Sequence, residues 1–196
     1  MFSRLSLLCG AVFCLVVVLV GAVCRADDRA PDRATLRGIQ AVVVKVHTWE
    51  SEWRAELGKV GTSESILQAS LEQRLANAGI RVVAEEAAKN FESMGVLNVR
   101  IAFLEPEPSK KTFQISGEEK IEQPDPKRKY VYAIRLNFRQ PVSLLRMPSI
   151  QSMAITWQTE ALGMRRLPDI RKDVYSALDV FMEAFLSENP AAGKSG

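Results

Sequence analysis

In LNVRIAFL (97–104) and YVYAIRLNFRQ (130–140), apolar and other residues alternate almost without a break. Successive side chains of a strand point to opposite faces of a sheet. Leu97, Val99, Ile101 and Phe103 therefore share one face, while Asn98, Arg100 and Ala102 share the other. Tyr130, Tyr132, Ile134, Leu136 and Phe138 form a matching apolar row. Strands that are apolar on one side and wet on the other suit an antiparallel pair resting on the core by one face. Helices must then cover that face, which places the chain in the α+β class.

The rest of the chain supplies those helices. LRGIQAVVVKVHTW (36–49) is rich in β-branched residues and reads as a buried first strand with Val42, Val44 and Val46 on one side. GTSESILQASLEQRLANAG (61–79) has a helix signature: Thr62 or Ser63 to cap it, Leu67, Leu71, Leu75 and Ala78 on one stripe, and Gly79 to stop it. IRVVA (80–84) reads as a short strand, and EEAAKNFESMG as a turn or short helix. MAITWQTEA (153–161) reads as a strand with Met153, Ile155 and Trp157 inward. A final helix carries Ile170, Val174, Leu178, Phe181 and Phe185 on one stripe, with Asp169 placed to cap it and Pro190 just past its end. The expected order is β-α-β-β-β-β-α: a two-layer sandwich of a mixed, mainly antiparallel sheet of about five strands, with two main helices on one face. One domain over 36–189 would hold all of it, preceded by a charged linker (27–35) and followed by a flexible tail (190–196). EPEPSKKTFQISGEEKIEQPDPKRK (105–129) interrupts it as a long loop whose charges cancel.

The amino-terminal segment bears on location. No charged residue lies between Leu5 and Cys24, with Arg4 before the run and Arg25, Asp27 and Asp28 after it. This is the plan of a secretory leader over residues 1–26, with Ala26 and Cys24 as the small residues of a cleavage site. Cleavage after Ala22 is an alternative. The run also exceeds the ~7–15 residues of an ordinary leader core and reaches the ~20 that span a bilayer, so retention as an anchor over 5–24 stays open. So does lipidation of Cys24, although Gly21 and Val23 depart from the usual pattern there. Each reading sends residues 27–196 out of the cytoplasm, to a periplasmic or secreted location, and leaves the leader as the expected membrane contact.

All three cysteines fall inside that leader, so a chain cut after Ala26 has no disulfide, thiol nucleophile or thiolate metal site. Removing Arg4 and Arg25 from the 26 basic residues leaves 24 against 23 acidic ones, a net of +1. A near-neutral chain has no overall field to draw it onto nucleic acid, and no nucleic-acid partner is expected. His47 is the one histidine, too few for a zinc site even with Glu50 nearby. No G-x-S-x-G elbow, calcium loop or phosphate-binding glycine loop occurs. We therefore expect no catalytic residue, no metal and no cofactor.

What remains are features of a contact surface. Arg100, Arg135 and Arg139 share the outward side of their strands and would form a basic stripe if those strands are neighbours. Trp49 and Trp53 would share a face if HTWESEW is helical, either as an aromatic anchor or as a lid on the core. Phe113 and Ile115 are the apolar residues that a binding loop at 105–129 would use. SILQASLEQRLANAGIRVV, after a Val-rich strand and before a closing amphipathic helix, makes residues 36–189 resemble small α+β domains of bacterial envelope proteins. Examples are the TolB amino-terminal domain and the cofactors that activate penicillin-binding proteins. The resemblance implies a non-enzymatic adaptor with an envelope protein as partner. Small-ligand or lipid handling and a secreted hydrolase are the alternatives.

Overall fold

A computed structural model of the chain describes residues 30–48, 51–88, 93–104 and 129–192. Along these run α1 (Ala30–Ala34), β1 (Ala41–Thr48), α2 (Ser51–Lys59), α3 (Glu64–Asn77), α4 (Glu85–Ala88), β2 (Met94–Phe103), β3 (Tyr130–Leu144) and β4 (Met147–Arg165). A 3-10 turn, Leu167–Asp169, leads into α5 (Ile170–Glu188). The fold is mixed α+β. Among the described residues there is one four-stranded sheet in the order β1-β2-β3-β4, parallel between β1 and β2 and antiparallel elsewhere.

Local chemistry explains the two long helices. Ser63 caps α3 by accepting the Ile66 N–H at 3.3 Å, and Gly79, with φ 81°, takes the left-handed position that ends it. Leu67, Leu71 and Leu75 of α3 are buried, as are Ile170, Val174, Leu178, Phe181 and Phe185 of α5. Arg74 fastens the two helices together, bonding Asp179 at 2.8 Å and lying over the Tyr175 ring. Asp169 does not cap α5 as expected. Its carboxylate is taken by Arg166 at 2.8 Å and Lys172 at 3.2 Å, bonds that hold its pKa below the usual value.

Both helices lie on the sheet face formed by Val42, Val44, Val46, Leu97, Val99, Ile101, Ile134, Leu136, Phe138 and Trp157. Phe181 of α5 reaches between Phe138 and Trp157, with ring centroids 5.5 and 5.2 Å away. At Gly95 the Phe138 ring passes so close that an added methyl would stand 2.0 Å from its Cζ. Tyr132, buried in the same layer, donates to Asp173, which also accepts from Arg165 Nε at 2.7 Å. This pins the start of α5 to the sheet.

Three expectations need correction. Segment 80–84 is not a full strand: it touches β1 through one parallel bridge, Val42 to Val82, so the sheet has four strands rather than five. There Arg81 O accepts from Val42 N at 2.9 Å and Val83 N donates to Val42 O at 3.0 Å, before α4 turns the chain away. Residues 30–34 of the expected linker are helical, and the following Leu36 is fully buried. Met153 and Ile155 do not point inward. A bulge between Phe138 and Arg139 pairs Arg139 with Ile155, skipping Thr156, so the alternation changes phase. Trp157 stays in the core while Met153 and Ile155 are 39% and 52% exposed. Past the bulge, β3 and β4 continue as a two-stranded arm beyond the last β2 partner of β3, the Val96–Arg139 pair. Its base is clamped by Gln140, which donates to Thr35 O and to Thr156 Oγ1, each at 3.0 Å.

Two outcomes test this packing. Gly95→Ala should cost about 1–3 kcal/mol in denaturant melts through overpacking against Phe138. Gly58→Ala, on α2 with no atom within 4 Å of the new methyl, should cost nothing and gain up to ~1 kcal/mol. Burial first, and the Asp173 bond second, raise the Tyr132 hydroxyl above its ordinary pKa of 10.0. The folded chain then keeps a proton that the unfolded chain sheds, so this contribution is complete below pH 10 and lost as pH climbs above it. Stability measured from pH 9 upward (about one unit below that ordinary value) should therefore fall less steeply in Tyr132→Phe than in the parent.

Candidate partner-binding face

The sheet face turned away from α3 and α5 is built by register. His47 of β1 aligns with Arg100 of β2, Arg100 with Arg135 of β3, and Arg135 with Glu160 of β4, making one polar row across the sheet. Beside it runs a second row: Lys45, Asn98, Asn137 and Gln158. Arg139 lies one side-chain repeat further along β3, opposite Val96. The three arginines expected to share a side thus do share one, on adjacent strands.

Two guanidinium groups directly across an antiparallel pair repel. Glu160 offsets this by accepting from Arg135 Nη2 with both carboxylate oxygens at 3.1 Å. Among the described residues Arg139 Nη2 reaches only the Met153 carbonyl, at 3.5 Å. In the adjacent row Asn98 and Asn137 are nearly closed off from solvent, and Asn137 Oδ1 has no hydrogen-bond partner among the described residues. The polar rows are flanked by apolar side chains left in solvent. Leu162 and Met164, each 62% exposed, face Ala133 and Val131 at one end, and Ile155 and Met153 lie at the other. A charged centre with exposed apolar flanks is a surface that gains by being covered.

The other expected contact residues fare differently. Trp53 on α2 is 4% exposed, stacked on Phe103 at 4.1 Å and edge-on to Tyr130 at 5.2 Å. It closes one end of the core and offers no ring to a partner. Trp49, Phe113, Ile115 and the leader with Ala26 lie outside the described residues. His47 is exposed at the rim of a cleft of about 290 Å³ between β1, α3 and the chain before α4. Lys45, Gln68, Glu72 and Glu85 also line it. Lys45 pairs with Glu85 at 2.5 Å and Gln68 donates to Glu72 at 2.9 Å, so these polar groups already satisfy one another. Among the described residues no group of three or more His, Cys, Asp and Glu side chains is placed to hold a metal, and no helix is long and apolar enough to cross a membrane.

No family model matches the chain, and no curated protein matches it. Among solved structures, a PelC dodecamer from Paraburkholderia phytofirmans is similar at a TM-score of 0.44 and 11% identity, over 84% of this chain and 98% of that one. A neuraminyllactose-binding hemagglutinin homolog from Helicobacter pylori is similar at a TM-score of 0.36 and 12% identity, over 81% of this chain and 89% of that one. Likenesses at these scores assign neither a family nor an activity.

The role of Trp53 is open to a direct check. Trp53→Ala should lower stability by about 3–5 kcal/mol, the cost of deleting a buried aromatic, as read from urea unfolding. A fully stable Trp53→Ala variant would mean that the ring is not part of the core.

Proposed function

We propose that this chain is a non-enzymatic interaction domain outside the cytoplasm, in a bacterial cell envelope, and that it captures a protein partner on the sheet face carrying Arg100, Arg135 and Arg139. The reading takes the domain as a two-layer α+β sandwich in which α3 and α5 are the main helices and cover one side of the sheet. The observation that carries it is the register: Arg100 stands opposite Arg135, with Arg139 four residues further along the same face of β3 and Leu162 and Met164 exposed on the flank. A partner of matching chemistry presents carboxylates to the arginines and apolar side chains to the flanks. The leader expected over residues 1–26 and the resemblance read from the sequence of residues 36–189 support the location. Phe113, Ile115 and Trp49 belong to the proposal as secondary contacts.

A second reading, small-ligand handling, draws on the cleft beside His47, whose volume of about 290 Å³ lies near the lower end of ordinary ligand pockets, ~300–1,000 Å³. A small molecule that remains bound in the native mass spectrum, and is lost from His47→Ala, would favour it.

Crosslinking in the native cell followed by affinity capture tests the main reading. The double change Arg135→Glu with Arg139→Glu should abolish recovery of the partner while thermal unfolding remains cooperative. Arg139→Glu alone, which leaves the Arg135–Glu160 pair intact, should reduce recovery. Recovery that survives both changes and also survives deletion of residues 108–126 would remove the proposal.

A further inference from the structure

The arm formed by β3 and β4 ends in LLRMPSI (144–150). Leu145 is fully exposed, and Met147 and Ile150 are 51% and 42% exposed beside it. Three large apolar side chains on one protruding tip mark a docking element, because nothing in the fold's own stability gains from keeping them wet.

The chemistry of the arm narrows what it meets. Between Lys129 and Glu160 the chain contains no Asp or Glu, so Arg139 and Arg146 are matched by no acid of that stretch. A surface of opposite charge to the arm is therefore anionic. Pairing with a second copy along the outer edge of β4 is disfavoured by the arm's own build. Pro148 lacks a backbone donor, and register irregularities fall at Phe138/Arg139 and Ser143/Leu144.

We propose that the tip of the β3–β4 arm inserts into the interface of an anionic phospholipid bilayer. Leu145, Met147 and Ile150 enter the boundary between headgroups and acyl chains, and Arg146 meets lipid phosphates. The five residues 140–144 extend roughly 16 Å at strand rise. That reach suffices for the ~5–10 Å depth at which interfacial elements sit. Arg146 keeps its guanidinium at headgroup level while its stem follows the apolar residues inward. This contact is separate from the arginine face and does not depend on the protein partner proposed for it.

The test uses the full chain in the cells that make it, with a photoactivatable residue in place of Leu145, a position whose complete exposure spares the core. Irradiation should yield intact-protein masses increased by one phospholipid. The same residue at Ile66, an exposed apolar site on α3, should yield none. Adding Arg146→Glu to the Leu145 probe should lower the lipid adduct severalfold. Four results would overturn the proposal: a conjugate of twice the chain mass, a conjugate with a different protein in place of lipid, equal lipid labelling from the Ile66 site, or no adduct from the Leu145 site.

Discussion

Phe181 stands where the two long elements of the fold meet. Its ring packs against Phe138 of β3, Trp157 of β4 and Phe185 of its own helix, with centroids 5.2 to 5.8 Å apart. Aromatic side chains contribute large buried areas and preferred angles, so this group fixes both the distance and the rotation of α5 over the sheet. Phe138 in turn lies over Gly95 of β2, which admits the ring only because it has no side chain. The contact thus carries from α5 through β3 to β2. The register of β2 against β3, and with it the alignment of Arg100 and Arg135, is set from the core side.

That alignment explains why the opposite face has its character. A sheet held in register from one side has no freedom to slide two arginines apart on the other. Glu160 on β4 accepts from Arg135, and the shielded Asn98–Asn137 pair lies in the next row of the same face. The three arginines are displayed on the central strands β2 and β3 and the exposed apolar residues on the edge strand β4, rather than on a loop. A surface of this kind is organised before any partner arrives, which limits the ordering cost of association.

Much of this order was legible in the sequence, and the departures have identifiable causes. The helices α3 and α5 announce themselves through four-residue apolar spacing and through Ser63 and Gly79 at the ends of α3. The two alternating strands show which side Arg100, Arg135 and Arg139 take, but only the pairing of β2 with β3 makes them neighbours. Trp53 was ambiguous because spacing alone cannot distinguish a lid from an anchor; its stacking on Phe103 decides the matter. The arm was hidden by Pro141 and Pro148, which usually argue against a strand. Here Pro141 sits past the last β2 partner of β3, where no donor toward β2 is needed. Met153 and Ile155 were assigned to the wrong face because a one-residue bulge at Thr156 inverts a period-2 pattern and leaves no trace in composition.

The two ends of the folded region also meet. Arg37 bonds Glu188 at 2.7 Å, Gly38 N donates to Asn189 Oδ1 at 2.9 Å, and Asn189 Nδ2 donates back to Leu36 O at 2.9 Å. These bonds bring residues 36–38 beside residues 188–189 at one corner of the described fold. A linker from the chain after residue 189 to the start of α1, which packs against α5, would keep Thr35 and its bonds at the base of the arm, so the chain could be opened elsewhere with its surfaces kept. Architecture of this type lets an order of synthesis be rewritten while the architecture itself is kept.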